Sequence, residues 1–212
     1  MNKFTSLASL ENKIYMLKFF AQFPEVLAVM SERQDGSMKL FDRDWKFNKQ
    51  NEPNRHKFFE KIGVDYDEVV YAYLKNTNQV VVVDNAETRI IPGVDGLVTR
   101  RCGLYLGVTA ADCIPVFFFE PERKIVALAH CGWRGIVSDI MESAVGKILE
   151  LGGDPEKLHV ALGPGINQCH FEIQTDVLGE FKDYPECIVQ RDGKIFVDLK
   201  GILRQQLAVL NV

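Results

Sequence analysis

Two apolar segments separated by a short polar turn constrain the fold of this chain most strongly. Residues 114–119 and 125–129 are rich in β-branched and aromatic side chains, and the turn between them contains Pro121. A four-residue loop over 120–123, with proline at its second position, is typical of a hairpin built around a type I turn. The sequence therefore predicts two antiparallel strands in which Phe119 pairs with Lys124.

This predicted register places Cys113 directly opposite His130, with both side chains on one face of the sheet. A lone cysteine or histidine is more often an ordinary buried residue than a functional one. The pair is different, because a thiolate and an imidazole are ligands that zinc prefers and also form catalytic dyads. We therefore predict a functional pair. The prediction depends on the loop length, since a one-residue shift would send one side chain to the opposite face.

Polar residues and glycines flank both members of the pair. Asp112 precedes Cys113, and either its carboxylate or a backbone carbonyl is a candidate to orient the imidazole of His130. Trp133 offers an aromatic face, and Arg134 offers a guanidinium suited to phosphate or carboxylate. A structural role as core residue or surface ion-pair partner is equally ordinary for each of these two residues alone.

The remaining pattern predicts an α+β fold in one continuous domain. Strand-like segments follow one another through short turns, and a few helical patterns are available to cover them, which favours α+β over a strictly alternating parallel sheet. A length of 212 residues fits one domain, and no linker or internal repeat is visible. The further predicted strands are 26–31, 80–84, 104–108, 158–162 and 194–197, and the predicted helices are 54–62, 136–151 and 199–210.

Composition excludes several classes of protein. With 47% hydrophobic and 25% charged residues the chain is an ordinary globular sequence, and its net charge of −4 provides no basic excess for nucleic acid. The longest apolar runs are too short to cross a bilayer. Five cysteines without a CxxC pair favour a reducing compartment, so we expect a cytoplasmic protein with a small-molecule substrate.

Three sequence blocks, 109–116, 129–135 and 162–173, resemble the laccase-domain family, also called the multicopper polyphenol oxidoreductase or peptidoglycan editing factor family. The family patterns are Thr-Ala-Asp-Cys-Leu-Pro-Val, Ala-His-Ala-Gly-Trp-Arg-Gly and Leu-Gly-Pro-x-Ile. Weaker similarity extends from Ser31 and Arg33 to residues 197–199.

The resemblance implies a four-layer α/β/β/α sandwich with mixed sheets and a zinc ion held by one Cys and two His. The Cys and one His correspond to Cys113 and His130. The family is associated with purine nucleoside phosphorolysis and adenosine deamination, and has also been linked to polyphenol oxidation and peptidoglycan editing. Its fold has been likened to that of toxin deamidases with a Cys-His pair.

The chain departs from the family at the second zinc histidine. That residue lies in a Gln-Val-His-Gly segment, where this chain has residues 75–78 with Asn76 at the ligand position. A neutral amide oxygen is a weak zinc ligand. His170, after the glycine turn 163–165, is a candidate third ligand, although a supporting or structural role fits it better. The glycine turn itself is either an anion-binding nest of backbone N–H groups or a simple tight turn.

Two further departures concern the two ends of the sequence. The family's Arg-x-Gly-Gly-x-Ser region is reduced to residues 33–37, and its Phe-Ser-Tyr-Arg strand has no counterpart before Val212. We therefore expect a single domain over residues 1–212 that lacks the family's usual C-terminal extension.

Three functional hypotheses remain. The first is a zinc enzyme acting on purine nucleosides, with metal at Cys113, His130 and His170 and with Arg33 and Arg134 contacting phosphate. The second is a metal-free hydrolase or amidase in which His130 activates Cys113. The third is a catalytically reduced relative that acts as a binding module. A copper laccase is disfavoured because four histidines are too few for its copper centres.

Overall fold

The computed structural model describes residues 15–16, 18–42 and 46–212. The chain divides into two compact units, Met1–Val69 and Val70–Val212. In the described part of the first unit, β1 (Tyr15–Met16) pairs antiparallel with β2 (Val29–Met30), and helix α1 covers Glu52–Lys61. Its short 3-10 helices are Lys18–Gln22, Arg33–Asp35, Lys49–Asn51 and Tyr66–Glu68.

A buried arginine organises the first unit. Arg55 of α1 is fully buried, and its guanidinium donates to the hydroxyl of Tyr66 at 3.0 Å and to the carbonyls of Lys39 and Asn48 at 2.9 and 3.0 Å. The guanidinium also lies 4.9 Å from the ring centroid of Phe47. A buried charge is costly unless its donors are satisfied, and these contacts tie the helix to segments both before and after it.

The second unit is built on a five-stranded sheet in the order β10-β8-β9-β6-β4. Neighbouring strands are antiparallel, except that β4 and β6 are parallel, so the sheet is mixed. The strands are β4 (Val80–Val82), β6 (Gly96–Thr99), β8 (Ile114–Glu120), β9 (Ile125–Cys131) and β10 (His159–Leu162).

Two three-stranded sheets complete the strand pairing of the described residues. One has the order β5-β3-β7, with β3 and β5 parallel, and the other is the antiparallel sheet β11-β13-β12. Their strands are β3 (Val69–Tyr73), β5 (Ile90–Pro92), β7 (Tyr105–Gly107), β11 (Glu172–Ile173), β12 (Ile188–Arg191) and β13 (Lys194–Val197).

The two faces of the five-stranded sheet pack against different layers. On one face, alternate residues of β8 such as Val116 and Phe118 join Ile140 and Ile148, from helix α3 (Ile140–Glu150), in one apolar cluster. On the other face, Leu97 of β6 packs with Val70 and Ala72 of β3. The helices are α2 (Trp133–Val137), α3 (Ile140–Glu150) and α4 (Leu199–Val209), and the 3-10 helices are Pro155–Lys157, Leu178–Phe181 and Pro185–Cys187.

The predicted α+β class with mixed sheets is confirmed, and several predicted elements differ in extent. The predicted strand 26–31 is reduced to Val29–Met30. The predicted helix 136–151 was wrong as one helix, because the chain breaks between α2 and α3 at Asp139, whose φ is 60°. The strands that the sequence pattern did not reveal are β1, β3, β5, β6, β11 and β12. Among the described residues, the structure has no helix with the length and apolarity required to traverse a bilayer.

The central hairpin forms with a different register from the predicted one. Glu120 remains in β8 and pairs with Ile125, so the loop is 121–124. Glu120 is fully buried, and its carboxylate accepts the backbone N–H groups of Glu122 and Arg123 at 3.3 and 2.6 Å. Lys124 adopts the left-handed conformation, with φ 54°, that closes the loop. The Glu120 carboxylate therefore binds the turn from a position within β8, and the loop begins one residue later than predicted.

Candidate active site

The new register changes how Cys113 and His130 meet. His130 pairs with Pro115 rather than with Cys113, so the predicted direct pairing was wrong. The register differs by an even number of residues, which leaves side chains on their predicted faces. Cys113 directly precedes β8, and its thiol and the imidazole of His130 meet beside Gly132, diagonally across the hairpin. His130 follows Leu128 by two residues on β9, on the face that packs toward β3.

A third residue, Asp95, holds the imidazole. Its Oδ1 lies 2.9 Å from Nδ1 of His130, and its carbonyl accepts the His130 backbone N–H at 2.7 Å. Asp95 is fully buried, and His130 is 5% exposed. Sequence analysis assigned this orienting role to Asp112 or to a backbone carbonyl, and it missed Asp95. The only sequence signal was an acidic residue at the start of an apolar segment.

Asp95 also anchors the loop that precedes β4. Its two carboxylate oxygens accept the backbone N–H groups of Lys75, Asn76 and Thr77 at 3.1, 3.0 and 2.8 Å. The Thr77 hydroxyl donates to the same carboxylate at 2.9 Å. One buried carboxylate therefore fixes both the imidazole and the loop that carries Asn76.

The electrostatics of the buried Asp95 and His130 side chains favour an ion pair between them. Burial lowers the pKa of His130, but its hydrogen bonds with Asp95 and Cys113 outweigh burial and raise that pKa to about 9. Burial raises the pKa of Asp95, but its hydrogen bonds with His130, Thr77 and Lys75 outweigh this and lower it overall. At neutral pH the site therefore holds an imidazolium between a carboxylate and a sulfur.

The surroundings of Gly132 show how closely Asn76 approaches Cys113 and His130. A Cβ atom added at Gly132 would lie 2.6 Å from Oδ1 of Asn76, 3.3 Å from Sγ of Cys113 and 3.5 Å from Cε1 of His130. These three side chains therefore surround one point on the backbone, and glycine is needed there because any side chain would displace them. Asn76, which the sequence resemblance aligns with a histidine ligand, therefore lies beside Cys113 and His130.

The donor set falls one residue short of a Cys-His-His zinc site. Cys113 and His130 are ligands of the type that zinc prefers, whereas Asn76 contributes an amide oxygen. Within residues 15–16, 18–42 and 46–212, no group of three or more His, Cys, Asp or Glu side chains could hold a metal ion. His170 does not complete such a group: it is exposed, and its Nδ1 lies 3.0 Å from Sγ of Cys169.

The other predicted site residues have distinct surroundings. Asp112 is exposed, and its backbone carbonyl accepts the N–H of Ile166 at 2.7 Å, which attaches the glycine turn 163–165 to the segment before β8. Arg134 is exposed on α2, with its guanidinium carbon 4.2 Å from the ring centroid of Trp133. Arg33 is exposed in the 3-10 helix Arg33–Asp35 of the first unit.

Comparison with known proteins identifies relatives in nucleoside chemistry. Adenosine deaminase RL5, from an unknown prokaryotic organism, is 31% identical over 166 residues, which cover 72% of this chain and 63% of that protein. A purine nucleoside phosphorylase of Deinococcus radiodurans is 33% identical over 156 residues, which cover 73% of this chain and 60% of the relative. The matched region therefore spans less than two thirds of the length of either relative.

A solved structure shares the fold. The crystal structure of the Bacillus licheniformis hypothetical protein YfiH superposes with a TM-score of 0.70 at 27% identity, over 75% of this chain and 65% of that one. The family model described as multi-copper polyphenol oxidoreductase laccase matches residues 40–212. Because this match covers most of the chain, including the hairpin, Asp95 and the glycine turn 163–165, the chain belongs to the multi-copper polyphenol oxidoreductase laccase family.

Proposed function

We propose that this chain is an enzyme acting on purine nucleosides, with its catalytic centre at Cys113, His130 and Asp95. The observation that carries the proposal is the grouping of three side chains: the Asp95 carboxylate lies 2.9 Å from the His130 imidazole, and the Cys113 thiol lies beside that imidazole at Gly132. The names of two relatives, a purine nucleoside phosphorylase and an adenosine deaminase, supply the substrate class. Arg33 and Arg134 are the proposed substrate-binding residues outside this centre.

In the metal-free centre, His130 acts as general acid in the proposed reaction, because an imidazole bound to zinc is neutral and carries no proton to donate at that nitrogen. Phosphorolysis breaks the bond between the sugar and a purine nitrogen, and deamination expels ammonia, so both reactions release a nitrogen group. Such a group leaves more readily when it is protonated. His130 is protonated at neutral pH because its pKa is raised to about 9, and Asp95 occupies Nδ1, which leaves Nε2 to face Cys113 or the substrate.

We propose that zinc binds this centre more weakly than it binds a Cys-His-His site. Only Cys113 and His130 are ligands that zinc prefers, and the Asp95–His130 contact is the kind of outer hydrogen bond that orients a ligating imidazole. Calorimetric titration should show weak binding by the unmodified chain. Tight stoichiometric binding that survives His170→Ala would contradict this proposal.

The direct test is product analysis with inosine and adenosine, each with and without phosphate. We expect release of free base or conversion of adenosine to inosine by the unmodified chain. Cys113→Ala and His130→Ala should each lower turnover by about 100-fold or more. Cys102→Ala is the matched control, since Cys102 is exposed and lies outside the centre. A correctly folded chain that turns over neither nucleoside, with or without added zinc, would overturn the proposal.

A metal-free cysteine hydrolase or amidase is the second candidate. The Cys113–His130–Asp95 order is the arrangement in which an imidazole activates a thiol nucleophile and a carboxylate orients the imidazole. Chelator-resistant hydrolysis of an activated ester, lost in Cys113→Ala and accompanied by alkylation of Cys113 with iodoacetamide, would favour this candidate. We also propose a cytoplasmic location, supported by five cysteines that are all free thiols.

A further inference from the structure

A pocket of about 480 Å³ lies in the second unit beside the catalytic pair. Its volume falls within the range of about 300–1,000 Å³ that is typical of small-molecule sites. One wall is the loop that precedes β4, and the other includes helix α2. The lining side chains used below are Asn76, Asn78, Gln79, Trp133, Arg134 and Glu180.

The α2 wall carries a stacked aromatic and guanidinium pair. The guanidinium carbon of Arg134 lies 4.2 Å from the ring centroid of Trp133. The same indole packs against Phe181, which is fully buried, with centroids 6.0 Å apart. Because the indole packs against the buried apolar cluster, it forms a fixed surface on which the exposed Arg134 guanidinium stacks. Indole and guanidinium planes are surfaces on which nucleobases stack.

The loop wall carries primary amides in fixed positions. Nδ2 of Asn78 donates to the carbonyl of Ser138 at 2.7 Å, and its Oδ1 accepts from Nε2 of Gln79 at 3.0 Å. The backbone N–H of Gln79 donates to the Thr77 hydroxyl, which in turn donates to Asp95. Amides offer a donor and an acceptor side by side, which is the pattern that pairs with the edge of a purine.

The charges of the lining favour a neutral ring over an anion. Glu180 contributes a carboxylate to the same pocket that contains the Arg134 guanidinium, so the two charges offset each other. A site built for phosphate would instead concentrate positive charge. Asn76 belongs both to this pocket and to the group of side chains around Gly132, so the pocket adjoins Cys113 and His130.

We infer that this pocket is the nucleobase subsite of the proposed nucleoside enzyme, with a purine ring stacked on the Trp133–Arg134 platform and its edge facing the amides. The inference rests on the proposed function and assigns Arg134 to the base, not to the phosphate. A base seated here places the sugar side of the nucleoside at the Asn76 end of the pocket, next to His130.

Trp133 makes the inference measurable without catalysis. The chain has two tryptophans, so Trp45→Phe leaves Trp133 as the sole fluorophore of its type. Titration of this variant with hypoxanthine should quench its fluorescence saturably, and calorimetry should give the same affinity. Arg134→Ala and Arg134→Lys should each weaken hypoxanthine binding by about 10-fold, because each removes the planar group on which the base stacks.

Arg191→Ala is the matched control, because Arg191 also stacks on an aromatic ring, 4.6 Å from the Phe196 centroid, outside the pocket. It should leave hypoxanthine affinity unchanged. Absence of hypoxanthine binding, or equal affinity in the unmodified and Arg134 variants, would overturn the inference. So would binding of inorganic phosphate that Arg134→Ala abolishes and Arg134→Lys preserves. Hypoxanthine binding that depends on Arg134, without nucleoside turnover, would support the subsite and reject the proposed function. Nucleoside turnover together with hypoxanthine binding that is insensitive to Arg134 would support the proposed function and reject the subsite.

Discussion

Replacing Asp95 with asparagine removes one charge from the buried centre and changes almost no volume. The carboxylate accepts hydrogen bonds from the backbone of Lys75, Asn76 and Thr77, from the Thr77 hydroxyl and from His130. An asparagine has only one acceptor oxygen. If this oxygen keeps the donors of Lys75 and Thr77, the amide NH2 is forced against Asn76 N–H and the His130 ring.

Two hydrogen bonds to a charged acceptor are then lost. At about 1.5–3 kcal/mol each, Asp95→Asn should lower the free energy of unfolding by about 3–6 kcal/mol. The pKa of His130, now raised to about 9, should fall in the variant because burial then acts without the opposing carboxylate. The imidazole would also be held in the other tautomer, and the comparable change in a catalytic triad lowers turnover by about 10,000-fold.

Urea denaturation measures the stability change, and nucleoside turnover across pH measures the catalytic one. Glu150→Gln is the control, since its 2.8 Å pair with Lys147 is on the surface and should contribute less than about 0.5 kcal/mol. The reasoning is refuted if Asp95→Asn unfolds at the same urea concentration as the unmodified chain and retains its turnover. An unstable variant with intact pH dependence would show that Asp95 supports the loop and not the imidazole.

Three further outcomes follow from the same geometry. Gly132→Ala should lower turnover by at least about 10-fold, because its Cβ would lie 2.6 Å from Oδ1 of Asn76. Gly146→Ala is the control: a Cβ there would lie in open space on α3, so this variant should raise the free energy of unfolding in urea by up to about 1 kcal/mol. Asn76→His should tighten zinc binding in calorimetric titration by about 10-fold or more, because it supplies the missing imidazole, and unchanged affinity would show that this position does not face the metal ligands. The folded pKa of His130 exceeds its usual 6.5, so its contribution to stability should be complete below about pH 6.5 and be lost as pH rises through about 9; urea denaturation of His130→Gln should lack this loss.

The sequence alone determined the local elements of the site. Strands β8 and β9 are apolar runs around a proline-containing turn, and α4 repeats leucine at helical spacing, so both follow from neighbouring residues. The shared face of Cys113 and His130 was also predictable. This prediction holds although the turn was misplaced by one residue. Side chains alternate along a strand, so a two-residue change in pairing leaves each side chain on the same face.

Only the tertiary structure decided which residues complete the centre. Asp95 is 35 positions from His130, and the pairing of Gly96 with Ala129 brings them together. The Asp139 side chain at the helix break likewise has a distant partner, because Nε2 of Gln206, 67 positions away, donates to its carboxylate at 3.1 Å. Local pattern carries no information about such contacts. They are set by strand order and by the need to satisfy buried polar groups, which arise only when the sheets and helices pack.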